Sequence, residues 1–132
     1  MSVSPHRQMG PLADNGRKRN RLIVVTWNVE GLSEAKVIEI CCFMRANSID
    51  IVCMQETRRA KSDNFVTDDG YEFFLSGRGD TAKEWAGVGF ILSPHVREHC
   101  TGFQPFCSRL ACLRVRVVGG IMCIFQFTHR TA

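Results

Sequence analysis

The sequence predicts an α/β fold with a mixed sheet whose first two strands belong to a parallel βαβ unit. The apolar, β-branched run "LIVVTW" at 22–27 is typical of a strand covered on both faces. A stretch with helical spacing follows it, and a second apolar run, "IDIVCMQ" at 49–55, follows that stretch. A strand, a helix of about four turns and another strand within roughly 35 residues give parallel strands with a right-handed crossover.

The predicted helix runs from Glu34 to Asn47. Ser33 directly precedes it and is expected to be its N-cap, because a serine hydroxyl can accept a hydrogen bond from the first turn. The charged residues of this stretch fall outside the apolar face and can stay solvated. The residues expected on the buried face are Val37, Ile40, Cys41, Met44 and Ser48.

The segments after residue 70 favour an antiparallel continuation of the sheet. Their residues either alternate between apolar and polar or are continuously apolar, and the pair Gly119-Gly120 is a hairpin signal between the last two segments. Arg114 and Arg116 share one face of their strand, where they could line a phosphate surface, although a solvated outer face is the simpler interpretation. Residues 57–70 are interpreted as a long loop. The four expected strands lie at 71–77, 86–94, 110–118 and 121–127.

The charge is distributed unevenly along the chain. The net charge of +4 comes from residues 1–21, which leave 12 basic and 12 acidic residues in the remainder. Without apolar periodicity, residues 1–21 are interpreted as a flexible basic tail, and residues 22–132 as the domain. The run "GRKRNR" in the tail could touch phosphates or act as a nuclear address, although a solvated tail is the simpler interpretation.

The seven cysteines are an odd number with no C-x-x-C pair. Four of them lie inside apolar runs, so we expect buried free thiols in a reducing compartment rather than disulfides or a zinc site. The four cysteines are Cys42, Cys53, Cys112 and Cys123.

The sequence shows neither the apolar stretch of a signal peptide nor a membrane span. We therefore expect an intracellular protein without a membrane partner, with the nucleus as a possible site because of the basic tail.

Two polar residues stand just past the ends of the predicted parallel strands, Asn28 after the first and Glu56 after the second. Neighbouring parallel strands end at one sheet edge, where open α/β sheets also bind their ligands, so we expect these side chains to converge. Amide and carboxylate oxygens suit Mg²⁺, which can neutralise phosphate charge and help to generate hydroxide. Alternatively, Asn28 is a turn former and Glu56 a solvated side chain.

Three basic residues follow in the loop after the second strand. Beside the predicted metal edge they could contact a nucleic-acid backbone, or they could simply be solvated. Gly87 and Gly89 are interpreted as marks of close strand packing. His95 and His99 have no partner at metal-ligand spacing in the sequence. The three basic residues are Arg58, Arg59 and Lys61.

Four segments carry a resemblance to a known family, namely "TWNVEGL", "SIDIVCMQET", "GVGFILSP" and "SRLACLRVRV". Over about residues 22–127 the chain resembles the N-terminal half of the endonuclease/exonuclease/phosphatase superfamily. Within it, the chain is most like the apurinic-type endonuclease domains of non-LTR retrotransposons and the craniofacial-development-protein-2-like proteins. The resemblance implies a four-layered, DNase-I-like α/β sandwich that hydrolyses phosphodiesters with Mg²⁺ or Mn²⁺. It implies that Asn28 lies at the phosphate and metal site and that Glu56 binds the metal.

The sequence also departs from that family pattern. After the strand at 121–127 the family reads close to Y-A-P, whereas this chain reads "FQFTHRTA", with Phe127 or Thr128 in place of the tyrosine. The family's later Asp-x-Asn motif and its Ser-Asp-His end are not in the sequence. We therefore expect a domain fragment, inactive alone, whose apolar sheet face needs a partner or a C-terminal half to cover it.

Three functions stay open from the sequence. The first is a divalent-metal-dependent DNA endonuclease of retrotransposon origin. The second is a non-catalytic nucleic-acid-binding module, whose salt-sensitive binding would need residues 1–21 and ignore Glu56. The third is a phosphoinositide or nucleotide phosphatase of the same superfamily, because specificity lies in the site and not in the fold. The retrotransposon-like motifs favour DNA as the partner.

Overall fold

The structure is a computed structural model that describes residues 6–10, 21–77 and 86–128, with the backbone alone for the first of these ranges. The described residues contain nine strands and two helices. The elements are β1 (His6–Gly10), β2 (Leu22–Asn28), α1 (Glu34–Asn47), β3 (Ile51–Gln55), β4 (Asp63–Val66), β5 (Glu72–Ser76), β6 (Val88–Leu92), α2 (Pro94–Arg97), β7 (Cys100–Cys107), β8 (Leu110–Val117) and β9 (Gly120–Phe127).

The strands form two sheets. The larger sheet has the order β1-β2-β3-β6-β5-β4, and the smaller sheet has the order β7-β8-β9. β2 and β3 are parallel, with Val24 opposite Ile51 and Asn28 opposite Gln55, so the predicted βαβ unit is confirmed. The other described pairs are antiparallel. The chain is therefore a mixed α/β structure with a second, antiparallel sheet.

Helix α1 has the predicted bounds. The Ser33 hydroxyl accepts a hydrogen bond from the Lys36 amide at 3.1 Å, which confirms the expected N-cap. Ile40, Cys41 and Met44 are buried on its inner face, as expected. Ser48 was expected on that face too, but it is exposed and ends the helix in the left-handed conformation at φ 53°. The chain turns there, so its side chain leaves the helical face.

The larger sheet is covered on both faces. Helix α1 packs on one face through a cluster that includes Trp27, Met44 and Phe73. The smaller sheet packs on the other face, where Phe90 and Leu113 lie in a second buried cluster. The described residues therefore form three layers, namely helix, larger sheet and smaller sheet. Among them, no helix is long and apolar enough to cross a membrane.

Three described elements were not predicted. β4 lies in the expected loop at 57–70; its burial pattern is mostly exposed, so no alternation marks it in the sequence. β7 contains Gly102 and Pro105 and has irregular pairing on either side of them, which obscures its strand pattern. The short helix α2 follows Ser93 with Pro94 at its first turn.

Two other predictions differ from the structure in detail. Residues 6–10 were interpreted as part of a flexible tail, whereas they form β1, antiparallel to β2, and bonds to a neighbouring strand need no apolar pattern. The rest of the tail to residue 20 lies outside the described residues. The hairpin between β8 and β9 is centred on Val118-Gly119 rather than on Gly119-Gly120, because Val117 pairs with Gly120.

Whether a cysteine is buried depends on the face of the strand or helix that carries it and not on the apolar residues around it in the sequence. The described thiols are free. Cys53 and Cys112 are buried as predicted, but Cys42 and Cys123 are exposed, which corrects the prediction for these two. Cys123 lies in an apolar run, yet its side chain points to the outer face of β9, opposite the exposed Arg114. An apolar run fixes the strand without fixing which face is covered.

Candidate functional site

Asn28 and Glu56 meet at the carboxyl edge of the parallel pair. β2 ends at Asn28 and β3 ends one residue before Glu56. The amide nitrogen Nδ2 of Asn28 donates a hydrogen bond to Oε2 of Glu56 at 3.1 Å. The predicted convergence of the two side chains is therefore confirmed, while their metal-binding and catalytic roles stay predictions.

Backbone hydrogen bonds hold this edge beyond the ends of the strands. The Val29 amide donates to the Gln55 carbonyl at 3.0 Å, and the Gly31 amide donates to the Glu56 carbonyl at 2.7 Å. On the other side, the Thr57 amide donates to the Gly87 carbonyl at 3.1 Å. Glu56 is therefore flanked by two paired segments, and its backbone position is fixed by the larger sheet.

The edge contains non-glycine residues in the left-handed conformation. Their φ angles are 52° at Glu30, 56° at Glu56 and 60° at Arg58. Each costs roughly 1–2 kcal/mol for an L-residue. Such strain persists where the surrounding structure holds it, and it concentrates at functional sites. The turned backbone lets Glu56 project toward Asn28 instead of continuing the alternation of β3.

The orientation of the Asn28 amide is set by its two partners. Its oxygen Oδ1 accepts a hydrogen bond from the Glu30 amide at 3.1 Å, while Nδ2 faces the carboxylate of Glu56. A flipped amide would put two acceptors against each other and two donors against each other. Asn28 therefore orients Glu56 through its nitrogen, and its oxygen is engaged by the turn.

Arg58 completes the cluster on the other side of the carboxylate. Its Nη2 lies 3.3 Å from Oε1 of Glu56, so each carboxylate oxygen has a donor. The side chain of Glu56 is 11% exposed and that of Arg58 is 46% exposed. Because the guanidinium is half in solvent, this ion pair contributes little to stability and can open without unfolding its surroundings.

The other two basic residues of the loop are placed differently. Nε of Arg59 donates to the Leu32 carbonyl at 2.8 Å, which ties the loop to the segment before α1. Lys61 is exposed, and its backbone runs close to Gly77 at the end of β5. Arg58 and Arg59 are therefore at the predicted edge, and no described contact joins Lys61 to Glu56.

A close approach of backbone and side chain explains Gly87. Its φ is +112°, and a Cβ built there would lie 2.3 Å from Oγ1 of Thr57, the residue after Glu56. At Gly89, a Cβ would lie 2.5 Å from the Phe74 carbonyl oxygen. Both glycines mark close packing, as predicted from the sequence. The role of Thr57 in this packing was missed, because a threonine after a glutamate carries no distinctive signal.

The donor set of the edge fits a magnesium ion bound by few protein ligands. Within residues 21–77 and 86–128, no group of three or more His, Cys, Asp or Glu side chains could hold a metal ion. Mg²⁺, however, is usually bound through one or two carboxylates, with waters and substrate phosphates as its other ligands. Glu56 supplies one such carboxylate. The predicted second ligand, the Asn28 oxygen, is already bonded to the Glu30 amide.

A cleft in the described structure lies at the opposite edge of the larger sheet. It has a volume of about 430 Å³ and is formed beside the amino end of β3 and the carboxyl end of β6. Arg45, Tyr71, Ser93 and His95 are among its lining residues. The cleft contains none of the residues of the Asn28–Glu56 cluster.

Comparison with known proteins gave no assignment. Neither a scan of protein-family models nor a search of the curated proteins found a match to this chain. The class that the described residues define is a mixed α/β chain with a polar cluster at the carboxyl edge of a parallel strand pair. Any function must therefore be argued from that cluster.

Proposed function

We propose that the edge formed by Asn28, Glu56 and Arg58 is the metal and phosphate site of a divalent-metal-dependent DNA phosphodiesterase. The fold proposed with it is the first part of a four-layered, DNase-I-like sandwich of the endonuclease/exonuclease/phosphatase type. The observation that carries the proposal is the 3.1 Å contact between the amide of Asn28 and the carboxylate of Glu56. It lies where open α/β sheets bind their ligands.

Each residue of the cluster has a distinct proposed task. Glu56 would hold Mg²⁺ or Mn²⁺ through its carboxylate. The chemistry that such an ion supplies when bound is neutralisation of phosphate charge and acidification of a water molecule. Asn28 keeps the carboxylate in one orientation through its 3.1 Å hydrogen bond. A fixed ligand loses less freedom on binding an ion than a mobile one does.

Arg58 is the proposed phosphate contact. In the structure its guanidinium neutralises Glu56 at 3.3 Å. A metal cation bound to the Glu56 carboxylate would displace the Arg58 guanidinium. A phosphate group bound beside Glu56 would then give the guanidinium a new partner. Arg59 is less free to do this, because its Nε is bonded to the Leu32 carbonyl.

The proposal is tested by Mn²⁺ binding, measured by the electron paramagnetic resonance signal of free Mn²⁺ in titrations of the full chain. We expect Glu56→Gln to abolish binding at the site and Asn28→Ala to weaken it about 10- to 100-fold, the usual effect of losing an outer-shell partner. Glu72→Gln is the matched control, because Glu72 is also a partly exposed carboxylate paired with an arginine, Arg97, at 3.3 Å. Equal Mn²⁺ binding by the parent and by Glu56→Gln would overturn the proposal.

A second assay separates binding from catalysis. Incubated with supercoiled plasmid and Mg²⁺, the chain is expected to nick DNA no faster than Glu56→Ala, because Glu56 is the single carboxylate in the described cluster. Faster nicking by the parent chain would show that these residues suffice for hydrolysis. Salt-sensitive DNA binding without Mn²⁺ binding would instead favour the non-catalytic nucleic-acid-binding function.

A further inference from the structure

The outward face of the smaller sheet combines arginines with exposed phenylalanines. Residues directly opposite each other in an antiparallel pair point to the same face, and Arg114 pairs with Cys123 while Arg116 pairs with Ile121. Phe125 and Phe127 follow Cys123 at alternate positions of β9, so they share this face. They are 62% and 57% exposed.

The opposite face of the same strands explains why these side chains point outward. Leu113 and Val115 are fully buried against the larger sheet, and Ile124 packs with them. Alternation along β8 and β9 then leaves the arginines and phenylalanines on the solvent side. Their exposure is thus a fixed property of the register and not of a single rotamer.

The charge of this region has one sign. Residues 99–132 contain no aspartate or glutamate, while β8 carries Arg114 and Arg116 on its outer face. Like charges on one surface create a field that attracts polyanions. A second copy of the chain stacked on the same face would bring these arginines together, so charge complementarity disfavours self-association there.

Arg114 is held flat on the sheet. A Cβ at Gly102, its neighbour on β7, would lie 2.7 Å from Nη2 of Arg114, so the guanidinium occupies the space above this glycine. Phe125 is the diagonal neighbour of Arg114, at a separation of roughly 7–8 Å between Cα atoms. The two phenylalanines are about 7 Å apart along β9. A planar cation and two aromatic rings therefore lie side by side on one surface.

We propose that this face binds single-stranded nucleic acid, with bases stacked on Phe125 and Phe127 and phosphates held by Arg114 and Arg116. Sheets that bind single strands combine these two features, because every base has a face that can stack and every nucleotide has a phosphate. A duplex offers no unstacked base to the rings. The surface goes beyond the function proposed for Glu56, since it lies on a different sheet and needs no metal.

The test uses fluorescence anisotropy of short fluorescein-labelled oligo-dU and oligo-rU with the full chain in EDTA. We expect both probes to bind and a labelled duplex to bind more weakly. Phe125→Leu and Phe127→Leu should each weaken binding about 5- to 150-fold, because leucine keeps the apolar surface but cannot stack. Phe125→Trp should retain binding, since tryptophan offers a larger ring.

The arginines are tested by salt dependence. Arg114→Gln and Arg116→Gln should each lower the slope of log K against log salt by about 0.7, the value for one phosphate contact on a single strand. The matched controls lie on helix α1, on the far side of the larger sheet, where Ile38 and Arg45 are also exposed. Ile38→Ala and Arg45→Gln should leave affinity and slope unchanged.

The outcomes separate this proposal from its competitors. Tighter binding of one probe than the other supports the proposal and identifies whether DNA or RNA is preferred, through contacts to the 2′-hydroxyl. Unchanged affinity in both leucine variants overturns it, and so does a failure of the parent chain to bind either probe. Sedimentation is run in parallel. A dimer that becomes monomeric in Phe127→Leu, without loss of nucleic-acid binding, would show that the face is a self-association surface and would also overturn it.

Discussion

The two sheets contain strands of similar composition but differ in how much of each strand is buried. In β6 of the larger sheet every residue from Val88 to Leu92 is buried. In β9 of the smaller sheet, which is also strongly apolar, Phe125 and Phe127 are exposed while Gln126 between them is buried. β6 lies between two other strands and between two layers, whereas β9 lies at a sheet edge with one layer behind it. Burial is therefore decided by the position of a strand in the sheet and not by its composition.

The residues found in the strands reflect this difference in burial. Strands of the larger sheet can carry apolar side chains on both faces, because helix α1 covers one face and the smaller sheet covers the other. β8 uses arginine on its free face, at Arg114 and Arg116, and this is the usual polar-out pattern of an antiparallel sheet. β9 departs from that pattern, since the side chains on its outer face are apolar. The departure is what distinguishes the outer face of the smaller sheet from an ordinary solvated surface.

The largest expected contrast is between two phenylalanines, one in each sheet. Phe90 is fully buried and its ring packs edge-on against Phe103 at 6.2 Å between centroids. Phe90→Ala should lower the free energy of unfolding by about 3–5 kcal/mol, through lost burial and the cavity left behind. Phe125→Ala should change it by less than about 1 kcal/mol, since the ring is exposed. Urea denaturation measures both, and comparable losses would show that the outer face is covered in solution.

A smaller contrast is expected between two glycines with positive φ. At Gly119, φ is +89° and no atom would lie within 4 Å of an added Cβ, so Gly119→Ala should cost about 1 kcal/mol from backbone strain alone. Gly87→Ala causes similar backbone strain, and its Cβ would also lie 2.3 Å from Oγ1 of Thr57, so it should lower the free energy of unfolding by about 2–4 kcal/mol. Thermal unfolding of the two variants is the measurement. If Gly87→Ala is the milder change, the edge beside Glu56 is looser than the structure shows.

The third contrast concerns the ionisation of one buried thiol of the larger sheet, Cys53 in β3, in the folded and in the unfolded chain. Burial raises the pKa of Cys53 from 9.0 to about 12. In the unfolded chain this thiol ionises above pH 9 while in the folded chain it stays protonated, so its contribution to stability is complete below pH 9 and is lost as the pH rises toward 12. Between pH 8 and pH 10 the loss should be on the order of 1 kcal/mol.

One variant isolates that contribution. Cys53→Ala should show a pH-dependent loss smaller than that of the parent by about this amount, because the buried thiol is absent. Urea denaturation with reductant at both pH values gives the comparison. The buried Cys41, whose pKa is raised to about 11 by burial first of all, adds the same trend to every variant and cancels in the differences. Identical pH dependence in the parent and in Cys53→Ala would contradict the assignment.

Much of the fold could be predicted where sequence patterns were strong. The bounds of helix α1, the cap at Ser33 and the parallel pairing of β2 with β3 agreed with the structure, because apolar periodicity and capping residues act locally. β4 and β7 could not be predicted. The exposed β4 has no apolar face, and Gly102 and Pro105 interrupt β7, so tertiary pairing alone makes these segments strands.

The candidate site was predictable in its members but not in its details. Parallel pairing was enough to bring Asn28 and Glu56 to one edge. The ion pair of Glu56 with Arg58 depends on positive φ at both residues, and nothing in a glutamate or an arginine signals that conformation. The overlap between Gly87 and Thr57 joins residues 30 positions apart and is likewise set by the assembled sheet.

The edge of β9 has a consequence for handling the protein in solution. From Val117 to Thr128 the chain carries no charge and no proline, and among the described strands β9 has a neighbour on one side. Charges, prolines and bulges are what normally keep an edge strand from pairing with another chain. The six residues "IMCIFQ" also have the composition that favours cross-β stacking. We therefore expect aggregation to begin at this edge, with a rate that rises steeply with protein concentration.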